Sequence, residues 1–334
     1  MQRKTFIHTV LAALLPVTAI TAITTLPLAA QAQATKLTLG HGAAPGNPRH
    51  EAAVLFADRV KAKTAGRYEI QVAHSAQLGD DAAMITALRS GTLDISANSQ
   101  GAMANVVPEY AALGLPFLFA DAQKAWQTLD GPVGEELAKR TAAKGMVVLG
   151  YWDNGIRHVT NSKRPVKLPV DLKGLKIRTP PDTMTVDIMQ TMGADTQQIK
   201  FAELYVALQQ GVVDGQENPL TNITSAKLYE VQKYLTLTGH KYEATPFVMG
   251  KRAWDKLSPA DQKLFTEAAV EATQLQRKLS KEADEKLAAE LKAKGVLIET
   301  VDRKAFVDAT KPVYAKWTTG PLSDFVKQVV QQAQ

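Results

Sequence analysis

Between Asp171 and Pro219 the chain reads DLKGLKIRTPPDTMTVDIMQTMGADTQQIKFAELYVALQQGVVDGQENP, two strand ends and two helical patterns in one short span. A polar turn, DLKG, leads into a short strand, Leu175–Thr179, that delivers Arg178. Pro180 and Pro181 end it, because a proline ring fixes φ and has no N–H for the ladder. A helical pattern follows to Met192. A second runs from Phe201 to Gln210 and is closed by Gly211, the usual residue just past a helix end. Val212–Val213 and DGQENP then bring another strand to a loop boundary. An arginine leaving one strand and a Gln-Glu-Asn cluster leaving another are groups suited to a small anion.

Upstream, strands alternate with helices. Lys36–Gly40 alternates like a first strand. Arg49–Thr64 is helical, since Ala53, Phe56, Ala57 and Val60 share one face and Gly66 lies just beyond. Tyr68–Val72 is strand-like, and Asp80–Ser90 is a helix with acids in its first turn and Gly91 past its end. Leu93–Ala97 is another strand. This order implies parallel strands with helical crossovers, hence an α/β fold. Leu115–Phe119 (LPFLF) reads as a buried, proline-broken segment. Helices over Asp121–Leu129 and Gly134–Lys144 then lead to a strand at Met146–Trp152.

Near Asn154-Gly155 the chain is expected to cross into a second domain, which Arg157–Thr160 opens and whose sheet the Arg178 strand joins. A helix over about Thr221–Val231, a strand at Tyr234–Thr238, a return crossing near Ala244 and a strand at Pro246–Met249 follow. A long helix opens at Ser258-Pro259-Ala260-Asp261, with serine as N-cap, proline at N1 and an acid in the first turn. Leu264, Ala268, Ala272, Leu275, Leu279, Ala283, Leu287 and Leu291 hold one face until Gly295. At 1.5 Å per residue this is roughly 50 Å, more than the width of one small domain. Spacing mostly of four, not the 3–4 alternation of a heptad, makes it a spine across both domains rather than a coiled-coil seam. The expected division is lobe I, residues 34–154 plus 244–283, and lobe II, residues 155–243 plus 284–334.

The N-terminus carries Arg3 and Lys4, then an apolar run from about Val10 to Leu28, then two overlapping A-x-A sites ending at Ala32 and Ala34. This pattern, broken by Pro16, reads as a secretory signal peptide, residues 1–32, rather than a transmembrane helix. The 334-residue chain has no cysteine, so neither a lipid-anchor cysteine nor a disulfide framework is available. The expectation is a soluble, exported, periplasmic monomer with no membrane insertion of the mature chain. Its formal charge of +6 falls to +4 without Arg3 and Lys4, and the basic residues are scattered, which gives nucleic acid no patch to bind.

Motifs for chemistry are missing. There is no G-x-S-x-G elbow, H-E-x-x-H helix, Walker loop or G-x-G-x-x-G turn, and the six histidines lack zinc spacing. Asp80 and Asp81 begin a helix, where capping is the simplest role. No catalytic residue, metal site or cofactor is expected.

The succession SAQLGDD, VPEY with LPFLF, YWDNGIR, DLKGLKIRTP, FAELYVALQQGVVDGQENP and TPFVM closely resembles the extracytoplasmic solute receptors of TRAP transporters, the dicarboxylate-receptor (DctP-like) family. The likeness covers nearly the whole mature chain. It implies a two-domain, periplasmic-binding-protein-like α/β fold with hinged lobes and a long helix spanning both. It further implies capture of a small organic acid between the closing lobes and delivery to TRAP membrane permease subunits driven by a sodium gradient.

From the residues alone Arg178 reads as an interdomain salt-bridge arginine. The resemblance implies instead the arginine that pairs with the ligand carboxylate, a role that a planar guanidinium fills bidentately. It likewise implies Arg157 as a second arginine, Asn218 as an amide at the carboxylate end and Phe201 packed on the ligand, although Phe201 could equally open its helix as a core residue. For the first domain, His41, Gln77, Asn98, Ser99 and Gln100 lie at or near strand ends, where open α/β sheets bind ligands. Trp152, Asn154, His240 and Tyr242 lie near the crossings and are candidates to line the cleft, as is Glu217 of the Gln-Glu-Asn cluster. The sialic-acid branch carries a pattern like ESAR where this chain reads SQGA, and the metal-binding oxo-acid branch carries Trp-Glu where it has Glu217-Asn218. Neither ligand is therefore expected. A hydroxylated acid (a uronate or aldonate) and a plain dicarboxylate both remain. The alternative class is an exported enzyme on the same architecture, with Asp80, Asp81 or Glu217 as acid or base.

Overall fold

The computed structural model describes residues 33–333, together with the isolated positions 2 and 5, so the expected signal peptide lies outside the described residues. The first βαβ turns are β1 (Thr35–His41), α1 (Pro48–Lys63), β2 (Tyr68–Ala73), α2 (Asp81–Ser90) and β3 (Ile95–Ala97). α3 (Gln100–Ala104) and a 3₁₀ turn, Pro108–Gly114, follow, then α4 (Ala122–Leu129), α5 (Pro132–Ala142) and the long strand β4 (Met146–Asn161). The second half holds β5 (Lys176–Thr179), α6 (Thr183–Thr191), β6 (Asp195–Gln198), α7 (Phe201–Gln209), β7 (Gly215–Pro219) and α8 (Leu220–Ser225). β8 (Tyr234–Gly250), α9 (Lys251–Trp254), α10 (Pro259–Ala293), β9 (Leu297–Thr300), α11 (Arg303–Trp317) and α12 (Ser323–Ala333) complete it.

The strands are ordered β2-β1-β3-β8-β4-β7-β5-β6, with β9 on β8. The α/β expectation holds: β1 is parallel to β2 and β3, and β5 to β6 and β7. The two groups meet through the antiparallel pair β4–β8. β3 pairs with Phe247–Met249 at one end of β8, while β7 pairs with Arg157–Asn161 at the far end of β4. Each long strand therefore belongs to both lobes.

This corrects the expectation of separate strands on either side of each crossing. Asn154-Gly155, a turn signal by composition, does not reverse the chain. Gly155 has φ 115°, and the ladder register shifts between Asp153 and Gly155 opposite Ala244 and Glu243. A bulge absorbs the positive φ and bends the ribbon without ending it. A Cβ on Gly155 would meet the ring of Pro219 at 2.9 Å, so both space and φ favour glycine. The expected helix to Val231 is also broken: α8 stops at Ser225, Lys227 takes φ 54°, and a 3₁₀ turn covers Leu228–Glu230.

The spine helix α10 has 35 residues, capped by Ser258, whose side chain accepts from Asp261 N. Its buried ridge differs from the expected stripe. Phe265, Ala268, Ala269, Ala272, Gln276, Ser280 and Leu291 are buried, whereas Leu275, Leu279, Ala283 and Leu287 are only half-buried. The reason is a polar demand. Gln276 accepts from Asp153 N at 2.7 Å and donates to Asp153 O at 2.6 Å, so the helix turns an amide toward the bulged strand. Ser280 supports that amide at 2.9 Å. Below the clip, Trp152 stacks on Phe247 at 4.3 Å, and Phe56 contacts both Phe247 and Phe265 edge-on. A separate cluster in the second half contains Leu204, Leu208, Leu220, Ile223, Leu235 and Leu291. α12 packs on α4 and α5, burying Val326 and Val329. The C-terminal helix thus sits with first-half elements, a correction to placing all of 284–334 in lobe II.

The Asp153 carboxylate beside the bulge is 3% exposed, and neither oxygen has a hydrogen-bond partner. Burial, reinforced by Asp284 and opposed by Arg277, raises it to about 7. The folded chain therefore holds a proton here that the unfolded chain releases near pH 4, and stability falls as pH rises from about 4 to about 7. Asp153→Asn should remove that slope, by up to about 1.4 kcal/mol per pH unit. Urea titrations at several pH values should show the variant gaining on wild type as pH rises; a constant difference would refute the assignment.

Candidate functional site

The edges of both lobes converge on a cleft with about 840 Å³ of empty volume, counted out to its open mouth. β5 runs between β6 and β7, with Arg178 in register with Gln197 and Gln216. Pro180 and Pro181, which end the strand, line the cleft beside it. Arg178 is 1% exposed. Its Nε donates to Ile199 O at 2.8 Å, and its guanidinium lies 5.9 Å from the centre of the Phe201 ring, at cation–π range. Its two terminal nitrogens donate to no group among the described residues. Burial and then Arg157 lower it to about 10 against the pull of Glu217, which leaves it cationic at neutral pH.

Arg157 also lines the cleft but is engaged. Its Nε and Nη2 donate to the two Glu217 carboxylate oxygens at 2.5 and 2.6 Å, Nη2 also reaches Glu217 O at 2.7 Å, and Nη1 pairs with Glu243. Burial alone would raise the Glu217 carboxyl, but Arg157 and His240 bring it down to about 2. From the other side Arg49, the second residue of α1, donates through Nη2 to Asn154 Oδ1 and Thr245 Oγ1, both at 2.8 Å. Asn154 Nδ2 donates to Glu243 Oε2 at 2.9 Å. Contacts that span the halves include Lys200–Asp80 at 2.7 Å, Asn47 Nδ2 to Asn222 Oδ1 at 3.0 Å and to Ser225 Oγ at 3.2 Å, and Asn105 Nδ2 to Pro181 O at 3.4 Å.

Of the expected residues, Arg178, Arg157, Asn218, Phe201 and Ser99 line the cleft, as does Asn154. The others do not, and each has a physical reason. His41 is buried with Nδ1 accepting from Ala43 N and Nε2 3.3 Å from His50. Gln77 is exposed on the β2–α2 loop. Gln100 accepts from Ala244 N at 2.8 Å and so ties α3 to β8. Trp152 is core, its Nε1 held by Thr273. Glu217 backs Arg157, and His240 is buried between Glu217 and Thr238. Asn98 donates to Ser96, and Tyr242 packs on Phe119. Arg49, Lys200, Asn222 and Glu243 line the cleft without having been singled out. No local pattern marks them, since each arrives there through a long-range pairing. Asp80 and Asp81 line it too. Asp80 caps Ala83 N as expected and also holds Lys200, while Asp81 accepts from Ser99 N at 3.0 Å. Among the described residues no group of three or more His, Asp and Glu is placed to hold a metal ion, and no helix is long and apolar enough to cross a membrane.

Two α/β lobes sharing a pair of strands and a long helix, with a polar cleft that offers a free guanidinium, define a hinged solute-binding receptor. The chain belongs to the bacterial extracellular solute-binding proteins, family 7 (DctP), which it matches over residues 39–319. It is 59% identical over 304 residues to an uncharacterized protein of Sinorhizobium fredii, covering 91% of this chain but spanning only 56% of that relative's length. A TRAP periplasmic solute binding protein from a Polaromonas species, bound to D-erythronate, superposes with a TM-score of 0.86 at 38% identity, covering 89% of this chain and 98% of the other. The sugar acid binding protein DctPAm of Advenella mimigardefordensis, in complex with galactonate, gives 0.88 at 32% identity, with 90% and 98% covered.

The buried Arg157–Glu217 pair should be structural. Because the Glu217 carboxyl sits at about 2 in the folded chain and near 4 unfolded, its contribution is present above about pH 4 and is lost as pH falls toward 2. Glu217→Gln should cost about 3–5 kcal/mol at pH 7, the usual result of leaving one buried charge unmatched. In chemical denaturation that penalty should shrink below pH 4; a pH-independent penalty would contradict the linkage.

Proposed function

We propose that this chain is the periplasmic receptor of a TRAP transporter, exported by its N-terminal 32 residues as a monomer. It takes a small organic acid into the cleft, closes over it, delivers it to the membrane permease and performs no chemistry on it. The observation that carries this reading is Arg178: a buried, cationic guanidinium on the cleft wall with both terminal nitrogens unengaged. Such a fork matches a carboxylate in two parallel charge-assisted bonds. Asn218 and Phe201 line the same wall and would flank the carboxylate, while Arg157, with its donors committed, fixes the strands that present them. Ser99 would approach from the opposite lobe. The bound D-erythronate and galactonate of the two similar structures support a sugar acid as the ligand class.

Closure follows from the shared strands. We place the hinge at the Asp153–Gly155 bulge opposite Ala244, with lobe I built on residues 34–154 and 244–283 plus α12, and lobe II on 155–243 plus 284 to the end of α11. A ligand touching both lobes shifts the open–closed equilibrium by its extra affinity for the closed form.

Two results are expected. Arg178→Ala and Arg178→Lys should each lose at least about 100-fold in affinity for D-erythronate or D-galactonate by calorimetry. Two charge-assisted bonds are worth about 1.5–3 kcal/mol each, and an ammonium cannot make the two-pronged contact. A lysine variant that binds like wild type would end the bidentate role. Saturating ligand should also reduce the radius of gyration in small-angle scattering, and an unchanged radius would refute closure.

A further inference from the structure

The acid-binding reading accounts for one end of the ligand; the cleft has further groups that this reading leaves unused. Glu243 is 1% exposed and lines the cleft. Its Oε2 is occupied by Arg157 and Asn154, but its Oε1 has no hydrogen-bond partner at all. A buried carboxylate oxygen left without a donor is costly, so the site is incomplete without something that supplies one. On the other side of the same Asn154 lies Arg49, 7% exposed, with Nη2 engaged and with Nε and Nη1 donating to nothing among the described residues. One free acceptor and two free donors thus sit on either side of a single amide. A hydroxyl both donates and accepts, and is the group that this arrangement satisfies.

Charge points the same way. The ionised side chains lining the cleft are Arg49, Arg157, Arg178 and Lys200 against Asp80, Asp81 and Glu243, and Glu217 backs Arg157. Among the groups that line the cleft, positive charges outnumber negative ones by four to three, so a single carboxylate balances them. One carboxylate on Arg178 is tolerable in this balance. A second carboxylate placed on Arg49 would lie near Glu243 and Asp81, the two acids whose fields act on that guanidinium, and would have no excess positive charge left to balance it.

We infer that Glu243 and Arg49 are specificity-determining residues that read ligand hydroxyls, so that the receptor selects hydroxylated monocarboxylates and rejects dicarboxylates. This rests on the carboxylate reading above, but its test is separable. Wild-type protein is titrated calorimetrically with D-erythronate, D-galactonate, butyrate, hexanoate and succinate. The hydroxylated acids should bind at least about 100-fold more tightly than the others. Glu243→Gln should lose at least about tenfold for the hydroxylated acids while gaining affinity for succinate, so the preference narrows from both sides. A purely structural role for Glu243 would weaken all five acids equally, and that uniform loss would overturn the inference. Succinate or butyrate binding wild type as tightly as D-erythronate would overturn it too, while leaving the carboxylate reading intact. If Glu243→Gln does not fold, the wild-type comparison of D-erythronate with butyrate decides alone. Arg178→Ala binding every acid like wild type would instead fail the carboxylate reading.

Discussion

One guanidinium, Arg157, is held between two buried carboxylates, Glu217 on β7 and Glu243 on β8, while its own backbone belongs to β4. Three strands are thereby locked at the level where the two lobes join. The charges are desolvated, so the network is stable only while every member is present. Its consequence for the cleft is subtractive. Because Glu217 is satisfied by Arg157 and His240, it does not reach across to neutralise Arg178, and that second guanidinium stays available to a ligand. A receptor for an anion needs this asymmetry of one arginine committed and one free.

The same level of the molecule contains the means of bending. The β4–β8 ribbon is irregular at three places, and α10 is fastened beside the middle one, Asp153–Gly155, through the Gln276 amide. A hydrogen-bonded clip tolerates small rotations better than interdigitated side chains, which resist any sliding of the surfaces they fill. The Asp153 carboxylate stands in this junction without a partner. The ion pair Lys200–Asp80, one of the contacts that span the halves, is solvent-facing and individually weak, as reversible closure requires.

Much of the fold was legible from local pattern. The proline pair after Arg178, the glycines past α2 and α7 and the Ser-Pro opening of α10 each act within a few residues, so the elements they bound could be located. Legibility failed where a long-range partner overrode a local signal. Asn154-Gly155 looks like a turn, but its neighbours pair with β8 throughout. The leucine stripe of α10 looks like the buried face, but Asp153 needed an amide and the helix turned to supply it. α12, amphipathic and unassigned by its own pattern, found its place on α4 and α5.

The sequence by itself determined the alternation of strands and helices, the family resemblance and the arginine on the strand before two prolines, because propensity and capping are short-range and Arg178 sits inside a contiguous motif. Only the tertiary structure decided which polar groups face the cleft and which are spent. His41, Gln100, Trp152, Glu217 and His240 are consumed by neighbours from distant parts of the chain, while Arg49, Asn222 and Glu243 are brought forward from α1, α8 and β8. Whether a side chain has a free lone pair or N–H depends on what lies within about 3 Å of it, and that distance is set by packing between segments far apart in sequence.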